Sequence, residues 1–426
     1  AETVMGGAPP IELEVESVGV RGDGIAQHGG ERIFLPFTAP GDRVSAALGP
    51  RRGEGRAGRV LALLRPGARQ APVCPHFGAC GGCALQHLAD DAYVAAKEAW
   101  LKTALRQHGL DDGVVAPLLR LPAGTRRRAR FAVSRPRGAA TRIGFHTRLS
   151  HDVVDLRACA VLHPKLLGLL PALRDRAAVF WPGGEGAATA TLAESGVDLL
   201  LELADEPKLA ALEAMAELAA VMDLARLSWR LSDAMPTPAA QRRPVRVAFA
   251  GVAVDLPAGA FLQASVEADA ALAAAVRRCL NEPRRIADLF AGVGTLSFAL
   301  AERAAVHAVE IAAPAVAALT AAAVRAGLGR LIAEQRDLDA HPLSPEELER
   351  FDAVVFDPPR AGARAQSAAL ARSAVPRVVA VSCNPASFAR DARTLVDGGY
   401  RLVEVQPIDG FLWSAQLELV ARFDKA

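Results

Sequence analysis

The chain has 426 residues, 51% of them hydrophobic and 23% charged, with a formal net charge of +2. At roughly 150 residues per domain this length predicts about three domains, and the composition excludes disordered, collagen-like and fibrous proteins. No uncharged apolar run reaches the roughly 18 residues a membrane helix needs, and residues 1–10 have neither a basic start nor an apolar signal core, so a cytoplasmic protein with no membrane partner is expected. Charge is uneven along the chain. Residues 1–160 carry 22 Lys/Arg against 15 Asp/Glu, residues 161–250 carry 9 against 11, and residues 251–426 carry 18 against 21. A basic front end joined to a neutral back end predicts a polyanion partner for the first third.

Residues 11–16 alternate apolar and acidic side chains, and strand-like pieces follow at 32–36, 43–48 and 58–64. Glycine turns such as Gly22-Asp23-Gly24 and Gly29-Gly30 separate them, so residues 9–68 read as a small antiparallel barrel. Its arginines (Arg51, Arg52, Arg56, Arg59, Arg65, Arg69) read first as a solvated loop and second as a nucleic-acid contact. Residues 90–108 have helical spacing, with Tyr93, Ala96, Trp100, Ala104 and Leu105 on one side. From Arg120 to Arg148 there are nine arginines and no acid, interrupted by Phe131, Phe145 and His146. An unscreened run of one sign points to RNA or DNA phosphates. Residues 161–240 are rich in Ala and Leu, break at 235–238, and carry no chemical motif.

From Pro283 onward seven candidate strands occur, at 285–289, 305–310, 331–336, 351–356, 377–382, 400–405 and 417–423. The first five alternate with Ala-rich helices, which predicts an α/β doubly wound, mostly parallel sheet. The first strand runs into Asp288-Leu289-Phe290-Ala291-Gly292-Val293-Gly294-Thr295, where glycines let the backbone approach a ligand. Glu310 ends the second strand, where a carboxylate can accept both ribose hydroxyl protons. Ser297 replaces the third glycine of a dinucleotide fingerprint, which favours S-adenosylmethionine over nicotinamide; a tight turn without ligand is the alternative.

The fourth strand ends in Asp357-Pro358-Pro359-Arg360, at the edge where open α/β sheets bind ligands. Amino-methyltransferases of adenine and cytosine carry an aromatic residue where Arg360 stands. The fifth ends in Ser382-Cys383-Asn384-Pro385, so a thiol projects from the same edge as a nucleophile, or else as an inert buried cysteine. Glu418 is a lone acid in the apolar final strand, suited to accept a proton, or else a partly exposed strand end. In a reducing compartment the spacing of Cys74, Cys80, Cys83 and Cys159 permits tetrahedral zinc or a four-iron cluster. Cys279 reads as a plain buried thiol.

Together, Cys74-x5-Cys80-Gly81-Gly82-Cys83 with Cys159, Phe261-Leu262-Gln263, the glycine turn, Asp-Pro-Pro-Arg, Ser-Cys-Asn-Pro and the distal glutamate resemble the iron-sulphur-containing RNA uracil-5 methyltransferases. Those acting on 23S ribosomal RNA are the nearest likeness. The resemblance implies a Rossmann-like class I S-adenosylmethionine-dependent methyltransferase domain at 256–426 behind a TRAM-like or OB-like RNA-binding barrel at 1–70. Between them, at 71–255, it implies an α+β domain holding a [4Fe-4S] cluster on Cys74, Cys80, Cys83 and Cys159, with helix 90–108 packed on the catalytic domain. It further implies that Cys383 attacks C6 of a flipped uracil and that Glu418 removes the C5 proton. By the same resemblance Gln263, Phe290, Thr295, Glu310, Asp337 and Asp357 would line the cofactor site, with Gln263 and Asp357 near the base, and Phe261 would stack on RNA or lie in the core. The implied partner is 23S rRNA first and tRNA second, and the implied state a monomer. A cluster-bearing RNA-binding protein without activity is the alternative of another class. RNA cytosine-5 methyltransferases usually carry a second cysteine at the position of Arg360, which favours uracil. One departure bears on Glu418: where many members read Phe-Pro-x-Thr-x-His, this chain has Phe411-Leu412-Trp413-Ser414-Ala415-Gln416.

Overall fold

The structure is a computed structural model that describes residues 9–232 and 234–426; most of the segment read for a signal, residues 1–8, lies outside the described residues. Strands β1 (Ile11–Glu14), β2 (Ser17–Val18), β3 (Asp23–His28), β4 (Glu31–Pro36), β5 (Arg43–Arg52) and β6 (Gly55–Arg65) form one sheet in the order β1-β5-β6-β4-β3-β2. Residues two apart point inward, so Leu13, Val15, Ile33, Leu35, Val44 and Ala46 fill its core. Two expectations are corrected. The β4–β6 ladder is parallel, because the β5–β6 hairpin folds back alongside β4. Asp23 and Gly24 also begin a strand instead of a turn. A Cβ on Gly24 would stand 2.0 Å from Thr38 Oγ1, so this glycine serves close packing, and the turn falls on Gly22 at φ +80°.

Helix α1 (Asp90–Gln107) and the short β7 (Leu119–Arg120) follow a segment of turns. Next come β8 (Arg128–Ser134), β9 (Arg142–His146), β10 (Val153–Asp155), α2 (Pro164–Leu167), α3 (Leu170–Phe180), β11 (Glu185–Ala193), β12 (Gly196–Leu203), α4 (Leu209–Val221), β13 (Arg226–Leu231) and β14 (Thr237–Gln241). Their strands make a second sheet, β10-β9-β8-β11-β12-β13-β14. Leu173 and Ala177 of α3 and Met215 and Leu218 of α4 share its apolar core. Pro238 sits in the edge strand, where its missing N–H breaks no inner ladder.

The arginine run is not the unscreened face its sequence implies. Arg120 pairs with Asp90, Arg127 with Asp269, Arg130 with Glu202 and Arg148 with Asp23, at 3.3, 2.6, 2.5 and 2.5 Å. Apart from Asp90, each acid comes from a strand or helix more than 70 residues away, which a count of local signs cannot register. Arg126 and Arg128 stand over the Phe411 and Phe261 rings, and Arg137 and Arg142 are exposed.

The third unit opens with a hairpin, β15 (Arg246–Phe249) and β16 (Val252–Asp255), followed by α5 (Val266–Cys279), β17 (Arg285–Leu289), α6 (Thr295–Ala301), β18 (Ala305–Glu310), α7 (Ala313–Arg325) and β19 (Leu331–Gln335). It closes with α8 (Pro345–Leu348), β20 (Ala353–Phe356), α9 (Arg364–Ala371), β21 (Arg377–Ser382), α10 (Pro385–Asp397), β22 (Tyr400–Asp409) and β23 (Glu418–Lys425). The sheet order is β19-β18-β17-β20-β21-β23-β22-β7. The first five are parallel, and β23 runs antiparallel between β21 and β22. Alternation within each strand feeds two apolar cores. Ile286, Val379 and Val381 face the side of α5, α6 and α7, together with Val247, Phe249 and Val254 of the hairpin. Ala287, Val378 and Ala380 face the side of α9 and α10, where Leu101, Ala104 and Leu105 of α1 also lie. Helix α1 therefore packs on the third unit although it precedes it by well over a hundred residues.

What fixes α1 there is a buried ion pair. Lys97 Nζ donates to Asp409 Oδ1 at 2.6 Å, and both side chains are 0% exposed. Its other donors reach the carbonyls of Phe411 (3.2 Å) and Gln416 (2.9 Å), while Tyr93 Oη donates to Asp409 Oδ2 at 2.6 Å. Two desolvated charges are tolerable only when each is paired and fully hydrogen-bonded. Lys97→Met strands Asp409 and is expected to cost about 3–5 kcal/mol in denaturant unfolding, with part of the loss recovered by adding Asp409→Leu. A single variant as stable as the parent would contradict this account.

Candidate active site

The carboxyl ends of β17, β18, β20 and β21 open into a cavity of about 890 Å³, within the range that binds small ligands. Gln263, Phe290, Thr295, Glu310, Asp337, Asp357, Cys383 and Glu418, which are scattered over more than 150 residues of sequence, all line it. At one end lies the glycine turn. A Cβ on Gly294 (φ +97°) would stand 2.6 Å from the Phe298 ring, whereas one on Gly292 (φ +56°) would meet nothing within 4 Å. Gly294 thus permits the tight turn, and Gly292 leaves the backbone open to the cavity. Phe290 adopts φ +61°, a strained value for an aromatic residue. The Glu310 carboxylate accepts the N–H of Gly292 at 2.9 Å and of Ala312 at 2.8 Å, so the turn itself holds it in place. Asp337 Oδ1 accepts from the N–H groups of Asp339 and Ala340.

At the other end the ladder register Ser382↔Leu419 sets Cys383 and Glu418 side by side, just past β21 and at the first residue of β23. Glu418 is buried, which rules out the exposed strand end, and Cys383 is half-buried and reaches the cavity. Asn384 caps α10 through Ala386 N and donates to the Arg360 carbonyl at 3.1 Å, and Ser387 Oγ donates to the same carbonyl at 3.0 Å. The Asp-Pro-Pro-Arg loop is thereby tied to the cysteine loop. Gln263 Nε2 donates to Asp357 Oδ2 at 3.0 Å.

Burial dominates the electrostatics. It pushes the Asp357 carboxyl up to about 7 and the Glu418 carboxyl up to about 8, Asp357 adding to the latter. It raises the Cys383 thiol to about 11, with Glu418 and Asp357 reinforcing it and Arg360 opposing. Burial thus biases all three groups toward their protonated forms.

Asp288 sits in the quoted turn motif, but the motif gives it no role. It is buried on the cavity floor with its carboxyl raised to about 7, chiefly by burial. Oδ2 accepts from Ser297 Oγ, while Oδ1 has no partner. Its signal was legible: a carboxylate one residue from the end of the strand that leads into the glycine turn. Arg230, Met235 and Pro236 line the mouth from the second sheet, inside the stretch without motifs, and no local pattern announces them. Phe261 is 66% exposed beneath Arg128, so it is not a core residue.

Cys74, Cys80, Cys83 and Cys159 converge on a second cavity of about 440 Å³, beside Arg126, Arg360 and Phe411. All six cysteines are free thiols, and Cys279 is buried. A Cβ on Gly81 would lie 2.9 Å from the His146 carbonyl, so the Cys-Gly-Gly-Cys turn needs its first glycine. Burial raises Cys80, Cys159 and Cys83, the last to about 12, and their mutual repulsion adds to this. Among the described residues no three metal-binding side chains stand in the geometry of a single-ion site.

The profile of the family described as tRNA (Uracil-5-)-methyltransferase matches residues 246–423. A protein of Brucella suis named as an RNA methyltransferase is 43% identical over 97% of this chain and 98% of its own. The 23S rRNA (uracil(1939)-C(5))-methyltransferase RlmD of Alkalilimnicola ehrlichii is 32% identical over 98% of this chain and 97% of its own. Among solved structures, the tRNA (uracil-54, C5)-methyltransferase of Pyrococcus abyssi, in complex with S-adenosyl-L-homocysteine, superposes with a TM-score of 0.72 over 97% of this chain and 100% of its own, at 22% identity. That likeness establishes the α/β methyltransferase fold, and the sequence matches establish the lineage: the chain belongs to the RNA uracil-5-methyltransferase family.

Proposed function

We propose that the protein methylates C5 of uracil in RNA at the expense of S-adenosylmethionine, with 23S rRNA the first candidate and tRNA the second. The observation that carries this is the single cavity that has Cys383, Glu418 and Asp357 at one end and Gly292, Glu310 and Asp337 at the other. A nucleoside cofactor fits the second end: the backbone is open at Gly292, Glu310 suits a ribose, and the unpartnered Asp288 Oδ1 awaits a donor. When bound, S-adenosylmethionine supplies an electrophilic methyl group. The ranking of RNAs rests on the relative named for 23S rRNA, which matches along nearly the whole chain.

Unaided, C5 of uracil is a poor nucleophile. Addition of Cys383 Sγ to C6 forms a carbon–sulphur bond and leaves C5 enolate-like, dividing one hard step into easier ones. Methylation of C5 has S-adenosylhomocysteine as its leaving group; Glu418, which must be ionised at this point, then accepts the C5 proton, the C5–C6 double bond re-forms, and the C6–S bond breaks with its electron pair returning to sulphur. Gln263 and Asp357 hold the polar edge of the base. The raised Cys383 thiol needs a lower pKa to react, and Arg360 acts in that direction, as does any cation entering the cavity. Phe261 and Arg128 at the mouth offer a stacking platform for RNA extruding its base. The barrel at residues 1–70 is a further RNA-binding surface.

The four convergent thiols suit a [4Fe-4S] cluster held by Cys74, Cys80, Cys83 and Cys159. The methylation has no redox step, so the group acts as a staple. Protein purified without oxygen is expected to contain iron and acid-labile sulphide; zinc with neither would overturn this assignment.

With RNA carrying tritium at C5 of uracil, cofactor-dependent tritium release is expected. Methyl incorporation without release would move the chemistry to another atom, and cofactor binding without either signal would favour an inactive RNA-binding protein. Cys383→Ala should abolish turnover yet still bind cofactor, and Glu418→Gln should trap a protein–RNA adduct on a denaturing gel. Unchanged turnover in either variant refutes that residue's role.

Keeping Glu418 neutral also has a stability consequence. Its folded pKa, about 8, lies above the ordinary 4.5, so as pH rises the unfolded chain ionises first and stability falls between those values. Glu418→Gln removes this titration. It is expected to exceed the parent by about 1–3 kcal/mol at pH 8 in denaturant unfolding, with the gap closing near pH 4.5. A gap independent of pH would contradict the buried, neutral carboxyl.

A further inference from the structure

The loop joining β22 to β23 carries Glu418 at its far end, and the sheet does little to hold it. Lys97 Nζ grips it at both ends, through Phe411 O at 3.2 Å and Gln416 O at 2.9 Å, while bonded to Asp409 at the end of β22. Gln416 is two residues from Glu418. At the loop's tip, Trp413 N donates to Tyr93 Oη at 2.9 Å, and the Trp413 carbonyl accepts from Ala84 N (2.8 Å) and Leu85 N (3.1 Å), directly after Cys83. Helix α1 thus binds the loop through backbone groups of Phe411, Trp413 and Gln416.

We infer that Lys97 and Tyr93 are positioning residues for Glu418. Glu418 forms the first rung of its ladder, opposite Ile408, and a terminal rung frays unless the adjoining turn is fixed. No proline stiffens this turn at position 412, and Lys97 with Tyr93 supply the constraint from outside the strand pair. Neither residue lines the catalytic cavity, so their effect falls on where the carboxylate stands. The inference rests on Glu418 acting as the C5 base.

The test uses the full-length protein in single turnover on RNA tritiated at C5, following adduct formation and tritium release separately. Lys97→Met risks misfolding, so Tyr93→Phe, which removes one hydroxyl, is the principal variant. Tritium release is expected to slow by about 10-fold to 100-fold, since small misplacements of a reacting group act on this scale. Adduct formation and cofactor affinity should stay within about twofold of the parent, so that adduct accumulates. Equal slowing of adduct formation and release would reveal general damage and overturn the inference, as would unchanged release. Glu418→Gln is run alongside. If it turns over normally, the reading of the base fails; if it traps adduct while Tyr93→Phe releases tritium at the parental rate, only the positioning inference fails.

Discussion

A lysine and an aspartate with no solvent exposure, joined at 2.6 Å, hold the early part of this chain to its catalytic sheet. Burying two charges is unfavourable unless every donor and acceptor finds a partner, and here all three Lys97 donors are used and Tyr93 completes Asp409. One turn further along α1, Trp100 Nε1 reaches the Val18 carbonyl of the first sheet at 2.7 Å. A single helix thus fixes the first sheet, the turn that follows Cys83 and the loop before Glu418 relative to one another. An apolar contact of the same area would stabilise as well but would tolerate sliding; the hydrogen-bonded pair admits one arrangement.

The catalytic cavity is built on the opposite principle. Asp288, Asp357 and Glu418 are gathered in a space that favours their neutral forms, next to a thiol pushed toward its neutral form by the same burial. Such an arrangement costs stability at neutral pH and leaves groups ready to change protonation state when the charge in the cavity changes. The tie between Gln263 and Asp357 and the tie of Asn384 and Ser387 to the Arg360 carbonyl keep these groups aligned despite that cost.

Much of this was legible in the chain. Short apolar runs alternating with Ala-rich helices marked the parallel strands, and the chemistry sits where strands end, so the sequence alone assigns Glu310, Asp357 and Cys383 to one edge. The face of α1 was legible as well, and the resemblance implied its packing on the catalytic domain, but the residue that anchors it there was not legible. Lys97 and Asp409 lie 312 residues apart, and nothing around a lysine in an amphipathic helix distinguishes a buried cross-link from a solvated charge. The arginine run misled for the same reason, its partners Glu202 and Asp269 being brought by other strands and helices. Gly24 misled differently: a glycine needed for contact with Thr38 has the local look of a turn.

Residues 66–89 explain why a chain whose proposed chemistry needs no electron transfer would keep four convergent thiols. Apart from isolated bridges the segment has no regular strand or helix: its backbone bonds are turn contacts within itself, with others to Pro40, His146 and Trp413. Such a segment gains little from its own hydrogen bonds and loses much conformational entropy on ordering. Bonds from a common centre to Cys74, Cys80, Cys83 and Cys159 would close it against the second sheet, as disulfides do in oxidising compartments. The segment so ordered presents Ala84 and Leu85 to the Trp413 carbonyl, and Arg126 lines the same cavity with its guanidinium over Phe411. The ion pair holds the Glu418 loop from the side of α1, and the backbone of Ala84 and Leu85, directly after Cys83, holds it from the other.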